Sequence, residues 1–123
     1  MKLSDLLNFA SFYDIVRDQK LPLKTSFKLT KIAKLIAENA DFYREKMDEI
    51  TREYGRLDDD GNLVMDENGN ILIKEGVEEE CNEKIRELQD FEIPVDYTFD
   101  VNDFDGIELT LAATSLLLPF IKE

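Results

Sequence analysis

Between Arg56 and Gly76 the chain places Asp58, Asp59, Asp60, Asp66, Glu67 and Glu75 around two Gly-Asn steps, the residue types from which a calcium loop is built. An EF-hand loop needs oxygen ligands at positions 1, 3 and 5, glycine at 6, an apolar residue at 8 and a bidentate Glu at 12. Set on Gly69, the chain supplies Asp66, Asn68, Ile71 and Glu75 at 3, 5, 8 and 12, but Val64 stands at 1. Set on Gly61, it supplies Asp58, Asp60 and Glu67 at 3, 5 and 12, but Arg56 stands at 1. Both registers lack the first carboxylate, so no metal is expected. A hairpin accounts for more of these residues. Leu63-Val64-Met65 and Ile71-Leu72-Ile73 are short apolar runs, and the five residues between them, Asp66 to Asn70, contain Asn-Gly, a strong hairpin signal.

Other chemistries find little material. Histidine is absent, which removes the most frequent general base and transition-metal ligand. Cys81 is the single cysteine, and Glu78, Glu79, Glu80 and Glu83 surround it in sequence, the opposite of what an activated thiolate needs. It reads as a small core residue. No glycine-rich phosphate loop or G-x-S-x-G elbow occurs, and 28 acids make any choice of a catalytic pair arbitrary. No enzyme activity, catalytic residue or cofactor is expected.

The elements that would carry any site can be read from periodicity. Ser4 can cap a first helix over 5–18, whose residues Leu6, Phe9, Ala10, Phe12, Tyr13 and Val16 share one wide face. Pro22 opens a long helix over 22–54, capped by Gly55. Along it Leu29, Ile32, Ile36, Ala40, Tyr43, Met47, Ile50 and Tyr54 recur at alternating steps of three and four, a stripe of the kind that packs along another helix. At 1.5 Å per residue this helix is roughly 45 Å long, more than a small globule needs.

A hairpin over 62–74 follows, then a helix over 77–89 carrying Val77, Cys81, Ile85 and Leu88. Alternation of Phe91, Ile93, Val95, Tyr97, Phe99 and Val101 predicts a half-buried strand over 91–101, edge-like because of Pro94. Thr110 can cap a last helix over 110–118, stopped near Pro119 and apolar enough to fill a core. The expected fold is a single α+β domain, a long helix with two or three shorter ones against it and a small antiparallel sheet made of the acidic hairpin and one strand.

Charge narrows the partners. The net charge is −13, divided as +2 over residues 1–56 and −15 over residues 57–123. A chain so acidic is not expected to bind nucleic acid directly, and no apolar run is long enough for a membrane span. A protein partner is expected, either a second copy or a basic host protein. Candidate contacts are the lysine cluster Lys24, Lys28 and Lys31, the apolar pair Leu35 and Phe42 lying off the main stripe, and the acidic run Asp58, Asp59 and Asp60.

The KLSDLLNF opening, the Lys20-Leu21-Pro22-Leu23-Lys24 step into a long helix, the D-x-x-G-N turn at Asp58 to Asn62, the Ile93-Pro94-Val95-Asp96 segment and the closing Leu117-Leu118-Pro119-Phe120-Ile121 together resemble a family. It is that of small, acidic, uncharacterised proteins of tailed phages that infect Gram-positive bacteria. The resemblance covers most of the chain and carries no catalytic motif. It implies a viral origin, either as a minor virion or assembly component, or as an early protein acting on a host system in the host cytoplasm. The expected function is a non-enzymatic one, exerted through protein contacts as an assembly component or oligomeric adaptor. The alternative is an acidic mimic of nucleic acid that inhibits a host defence or transcription protein.

Overall fold

A computed structural model describes residues 1–121. It contains four α-helices, α1 (Leu3–Val16), α2 (Leu23–Tyr54), α3 (Glu78–Gln89) and α4 (Leu111–Leu117), with 3₁₀ turns at Val101–Phe104 and Leu118–Phe120. All four expected helices are present, with the ends at Tyr54 and Gln89 as expected and the other six shifted by one or two residues. Among the described residues there is no β-strand and no sheet, and backbone pairing outside helices is confined to isolated bridges. The α+β expectation is therefore corrected to a mostly helical fold.

The chain divides into two compact units, one formed by Met1–Ala40 with the segment from Phe91 onward, the other by Asp41–Asp90. In the first unit α1 packs on α4. Leu6, Phe9, Phe12 and Val16 of α1 are buried, as the spacing predicts, and so is Leu3, while Ala10 and Tyr13 of the predicted face are half-buried; Phe9 and Phe12 meet Phe99, Phe104 and Phe120 in one aromatic core. Ser4 does not cap α1. The helix starts earlier because the Leu3 N–H, which a cap would otherwise serve, donates to the Phe91 carbonyl at 2.8 Å, and the Leu6 N–H donates to that of Lys2.

The expected strand over 91–101 is an extended segment tied down only at its ends. Lys2 bridges Glu92 and Phe99 bridges Ile121, while Ile93 and Phe99 are buried as single anchors. The alternating pattern here belongs to an extended chain that buries Ile93 and Phe99, half-buries Val95 and Tyr97 and leaves Phe91 and Val101 exposed. Thr110 caps α4 as expected, its Oγ1 accepting the Ala113 N–H at 3.1 Å. Thr110→Ala should lower the unfolding free energy by about 1 kcal/mol, and urea denaturation followed by circular dichroism measures it; an unchanged midpoint would show that the cap contributes nothing.

In the second unit the expected hairpin over 62–74 is replaced by a ring of three arms. Arg56 N–H donates to the Leu72 carbonyl (2.7 Å), Leu72 N–H to Val64 (2.9 Å) and Val64 N–H to Arg56 (2.9 Å), a closed cycle among residues eight apart. Antiparallel bridges Leu57 with Leu63, Met65 with Ile71 and Gly55 with Ile73 form the three stems. The first two stems each hold a single bridge before their turn, and the third runs out into the end of α2, where the Lys74 N–H donates to the Tyr54 carbonyl at 2.8 Å.

Two arms repeat the same local chemistry. Asp58 Oδ1 accepts the Asp60 and Asn62 N–H groups, and Asp66 Oδ1 those of Asn68 and Asn70, each at 2.9 Å. These contacts hold the Asp66 carboxyl below its ordinary range, chiefly through the N–H of Asn70. Glycines at positive φ, Gly61 at 81° and Gly69 at 80°, close the two turns.

Candidate interaction surface

In the first unit, the segment between Phe99 and Ile121 builds an open groove. Its first wall is the 3₁₀ turn Val101–Phe104, held by a capping box in which the Asp100 N–H donates to Asp103 Oδ2 at 2.9 Å and the Asp100 side chain accepts the Asp103 N–H. Gly106, at φ 85°, turns the chain back, and the Ile107 N–H donates to the Phe104 carbonyl. The second wall is α4 and the 3₁₀ turn after it. Between them lies a groove of about 440 Å³ with Phe104, Ile107, Leu109 and Leu117 on its walls, and Val101 and Leu118 standing out of it, 72% and 63% exposed.

Among the described residues that line this groove, the charged one, Asp105, is acidic. Residues 91–121 contain six acidic side chains and no lysine or arginine. Asp103 is matched internally, since Lys28 of α2 reaches it at 3.6 Å. Asp100, Asp105 and Glu108 are exposed, and Asp105 lines the groove itself.

The sequence-derived candidates are dispersed. Lys28 turns inward: its Nζ donates to the Thr98 carbonyl at 2.7 Å and lies 5.5 Å from the Phe99 ring centroid, so it fastens α2 to the extended segment. Lys24 is exposed, and Lys31 lies 5.4 Å from the Phe27 ring centroid. Leu35 is half-buried in a smaller pocket of about 270 Å³ shared with Lys31, Lys34, Glu38, Pro94 and Tyr97. Phe42, in the second unit, is half-buried with Lys46 at 5.9 Å from its ring centroid. Asp58 is engaged in its turn, whereas Asp59 and Asp60 are exposed at the tip of the first arm. Among the described residues no group of three or more carboxylates or thiols is arranged to hold a metal ion.

A second apolar surface lies on α2. Leu23 and Phe27 are 86% and 55% exposed, one helical turn apart, with Lys20, Lys24 and Lys34 exposed around them. Thr25, Leu29 and Ile32 of the same helix are buried, and at 100° per residue they face the opposite side from Leu23, Phe27 and Lys34. Reading the sequence alone missed Leu23, Phe27, Val101 and Leu118. The absence of any basic residue over 91–121 and the i, i+4 step of Leu23 and Phe27 among lysines were the available signals.

Two groups of the second unit are pushed from their ordinary ionisation. Tyr54 is buried and donates its hydroxyl to Glu80 Oε1 at 3.0 Å; burial first, then the Glu80 hydrogen bond and nearby carboxylates, push its pKa up to about 12. Burial likewise raises the Cys81 thiol, leaving it a protonated core residue at neutral pH. Because the Tyr54 value is raised above its ordinary 10, its contribution to stability is full below pH 10 and is lost as pH climbs toward 12. A tyrosinate absorbance titration should show one of the four tyrosines ionising last, near pH 12, and Tyr54→Phe should remove that step. Persistence of the late step in that variant would assign it elsewhere.

No protein-family model matches the chain, nor does any curated protein or solved structure. Among the described residues no helix is long and apolar enough to cross a membrane.

Proposed function

We propose that this chain is a non-enzymatic protein that works through protein–protein contacts, as an oligomeric adaptor or assembly component, in keeping with the phage resemblance of its sequence. The observation that carries this reading is the groove of the first unit, apolar on its walls, with Val101 and Leu118 exposed and an acid, Asp105, as the charge among the described residues that line it. Contiguous exposed apolar surface next to polar groups marks interaction sites. The test compares proteins retained from host extract by the immobilised full chain and by its Leu118→Asp variant at equal thermal stability. Retention of defined partners by the first and their absence from the second supports the reading; identical profiles, with no self-association, sink it.

One observation favours a second reading. The Asp41–Asp90 unit carries 17 acidic and 7 basic side chains, net −10, and its arm tips present Asp59, Asp60, Glu67 and Glu75 to solvent. Such a surface suits the alternative role of an acidic inhibitor occupying a basic, nucleic-acid-binding groove of a host protein. Binding to a basic host nuclease or polymerase that falls steeply with salt, and falls again in Asp59→Lys/Asp60→Lys, supports it; salt-independent binding removes it.

A further inference from the structure

We infer that the acidic groove of the first unit takes a second copy of this chain, which inserts the Leu23/Phe27 face of its α2 head to tail. The inference rests on the protein-contact reading above and names the partner. Three observations point to a copy of the same chain rather than to another occupant.

The two surfaces match in kind. One is an apolar groove between the Val101–Phe104 turn and α4. The other is a helix face with two apolar side chains at i and i+4, the spacing by which an amphipathic helix anchors in a groove. They also match in charge. Asp100, Asp105 and Glu108 flank the groove, in a segment without a single basic residue, and Lys20, Lys24, Lys31 and Lys34 flank Leu23 and Phe27. Opposed patches of this kind steer encounter and fix register.

The start of α2 is also electrostatically unsatisfied. Its first turn holds no acidic residue and does hold Lys24, so the positive end of the helix dipole meets a positive side chain. Acids supplied from another copy would relieve that mismatch. The docking face lies on the side of α2 opposite to the one the helix buries at Thr25, Leu29 and Ile32, so it is available without unfolding.

An interface between two different patches of one chain is heterologous: it repeats from copy to copy and gives a ring if the rotation closes, or a fibre if it does not. This geometry supplies a test by complementation. The full chain is run on size-exclusion chromatography with light scattering across a range of concentrations, alongside Leu118→Asp, which blocks the groove, and Phe27→Asp, which blocks the helix face. Both positions are exposed, and circular dichroism checks that each variant keeps its fold. The full chain should exceed the 14.3 kDa of one copy as concentration rises, with association weakening as salt is added. Each variant alone should associate about 30-fold or more weakly.

Mixed one to one, the two variants should form a dimer and stop there, because one retains only the groove and the other only the helix face. A full chain that stays a monomer at every concentration overturns the inference, and so do variants that fail to complement each other when mixed. If that monomer still retains a host protein, and Leu118→Asp abolishes the retention, the protein-contact reading stands while the self-docking inference falls.

Discussion

Phe9→Ala is expected to lower the unfolding free energy by about 3 to 5 kcal/mol, the range for emptying an aromatic site in a packed core. Phe9 is fully buried on α1, and its ring centroid lies 4.3 Å from that of Phe120, 5.0 Å from Phe12 and 6.3 Å from Phe99. It thereby joins α1 to both the extended segment and the 3₁₀ turn after α4. Removing the ring forfeits its transfer free energy and leaves a void whose walls belong to separate elements. Phe9→Leu keeps most of the volume and should lose only about 1 kcal/mol.

Against a total of about 5 to 15 kcal/mol for a domain, the alanine variant should be near the edge of folding, with Tm falling by roughly 10 to 20 °C. Urea denaturation of the two variants measures the contrast. Equal losses would mean that the ring contacts, rather than apolar volume, carry the effect. The groove depends on the same core, since Phe104, which lines it, lies edge-on to Phe12 at 5.3 Å. If the groove docks a second copy as proposed, self-association should therefore weaken in Phe9→Ala although neither Leu118 nor Phe27 has changed.

The helices were legible because their signals are local. Thr110 stands where its cap is needed, the α1 spacing names four of the five buried residues, Leu6, Phe9, Phe12 and Val16, and Pro22 precedes the first residue of α2. What failed was the step from an extended chain to a sheet. Alternation over 91–101 reports which side of the chain is covered, and a helical surface can cover it as well as a neighbouring strand. The hairpin failed for a different reason. The turn at Asp66 to Asn70 was read correctly, and Met65 does bridge Ile71 across it. The same turn chemistry occurs eight residues earlier, in Leu57-Asp58-Asp59-Asp60-Gly61-Asn62-Leu63-Val64 against Met65-Asp66-Glu67-Asn68-Gly69-Asn70-Ile71-Leu72, and that repetition distinguishes a ring of arms from one hairpin.

The surfaces were legible only in part. Composition located the lysines but not their direction: Lys28 shares the buried side of α2 and binds Thr98, whereas Lys24 is exposed. Leu111 to Leu118 was expected to fill the core or to cover an interface, and only Ala113 and Leu117 of α4 are buried. A seven-residue helix turns its wall to one side, and an all-apolar composition cannot say which residues remain outside. Those that do supply part of the groove's rim.

Gly55→Ala is expected to destabilise the second unit by about 1 to 3 kcal/mol, as overpacking of a closed site does, and for a reason unlike that at the turn glycines. Gly55 directly follows the last residue of α2, where a cap is expected, and its φ is not positive. It is glycine because the chain passes through a tight place as α2 gives way to the ring of arms. A Cβ there would run into the backbone carbonyl oxygen of Thr51, would stand 2.5 Å from Leu63 Cδ2, and would touch Ile71 Cγ2 at 3.4 Å. The Thr51 carbonyl cannot yield without cost, because it accepts the Gly55 N–H at 2.8 Å. Leu63 can move, but it sits on the first stem, one residue from the Val64 that closes the ring.

Gly61→Ala is the control. Its site is open, with nothing within 4 Å of an added Cβ, so the penalty is the left-handed backbone alone, about 1 to 2 kcal/mol. Truncating Leu63 to alanine should recover part of the Gly55→Ala loss and none of the Gly61→Ala loss. Amide hydrogen exchange at Arg56, Val64 and Leu72 reads the outcome directly. Gly55→Ala should accelerate exchange at all three together, because each donates to the next around one cycle and none can loosen alone. Acceleration at Arg56 only would mean that the ring is three independent bonds rather than one closed unit.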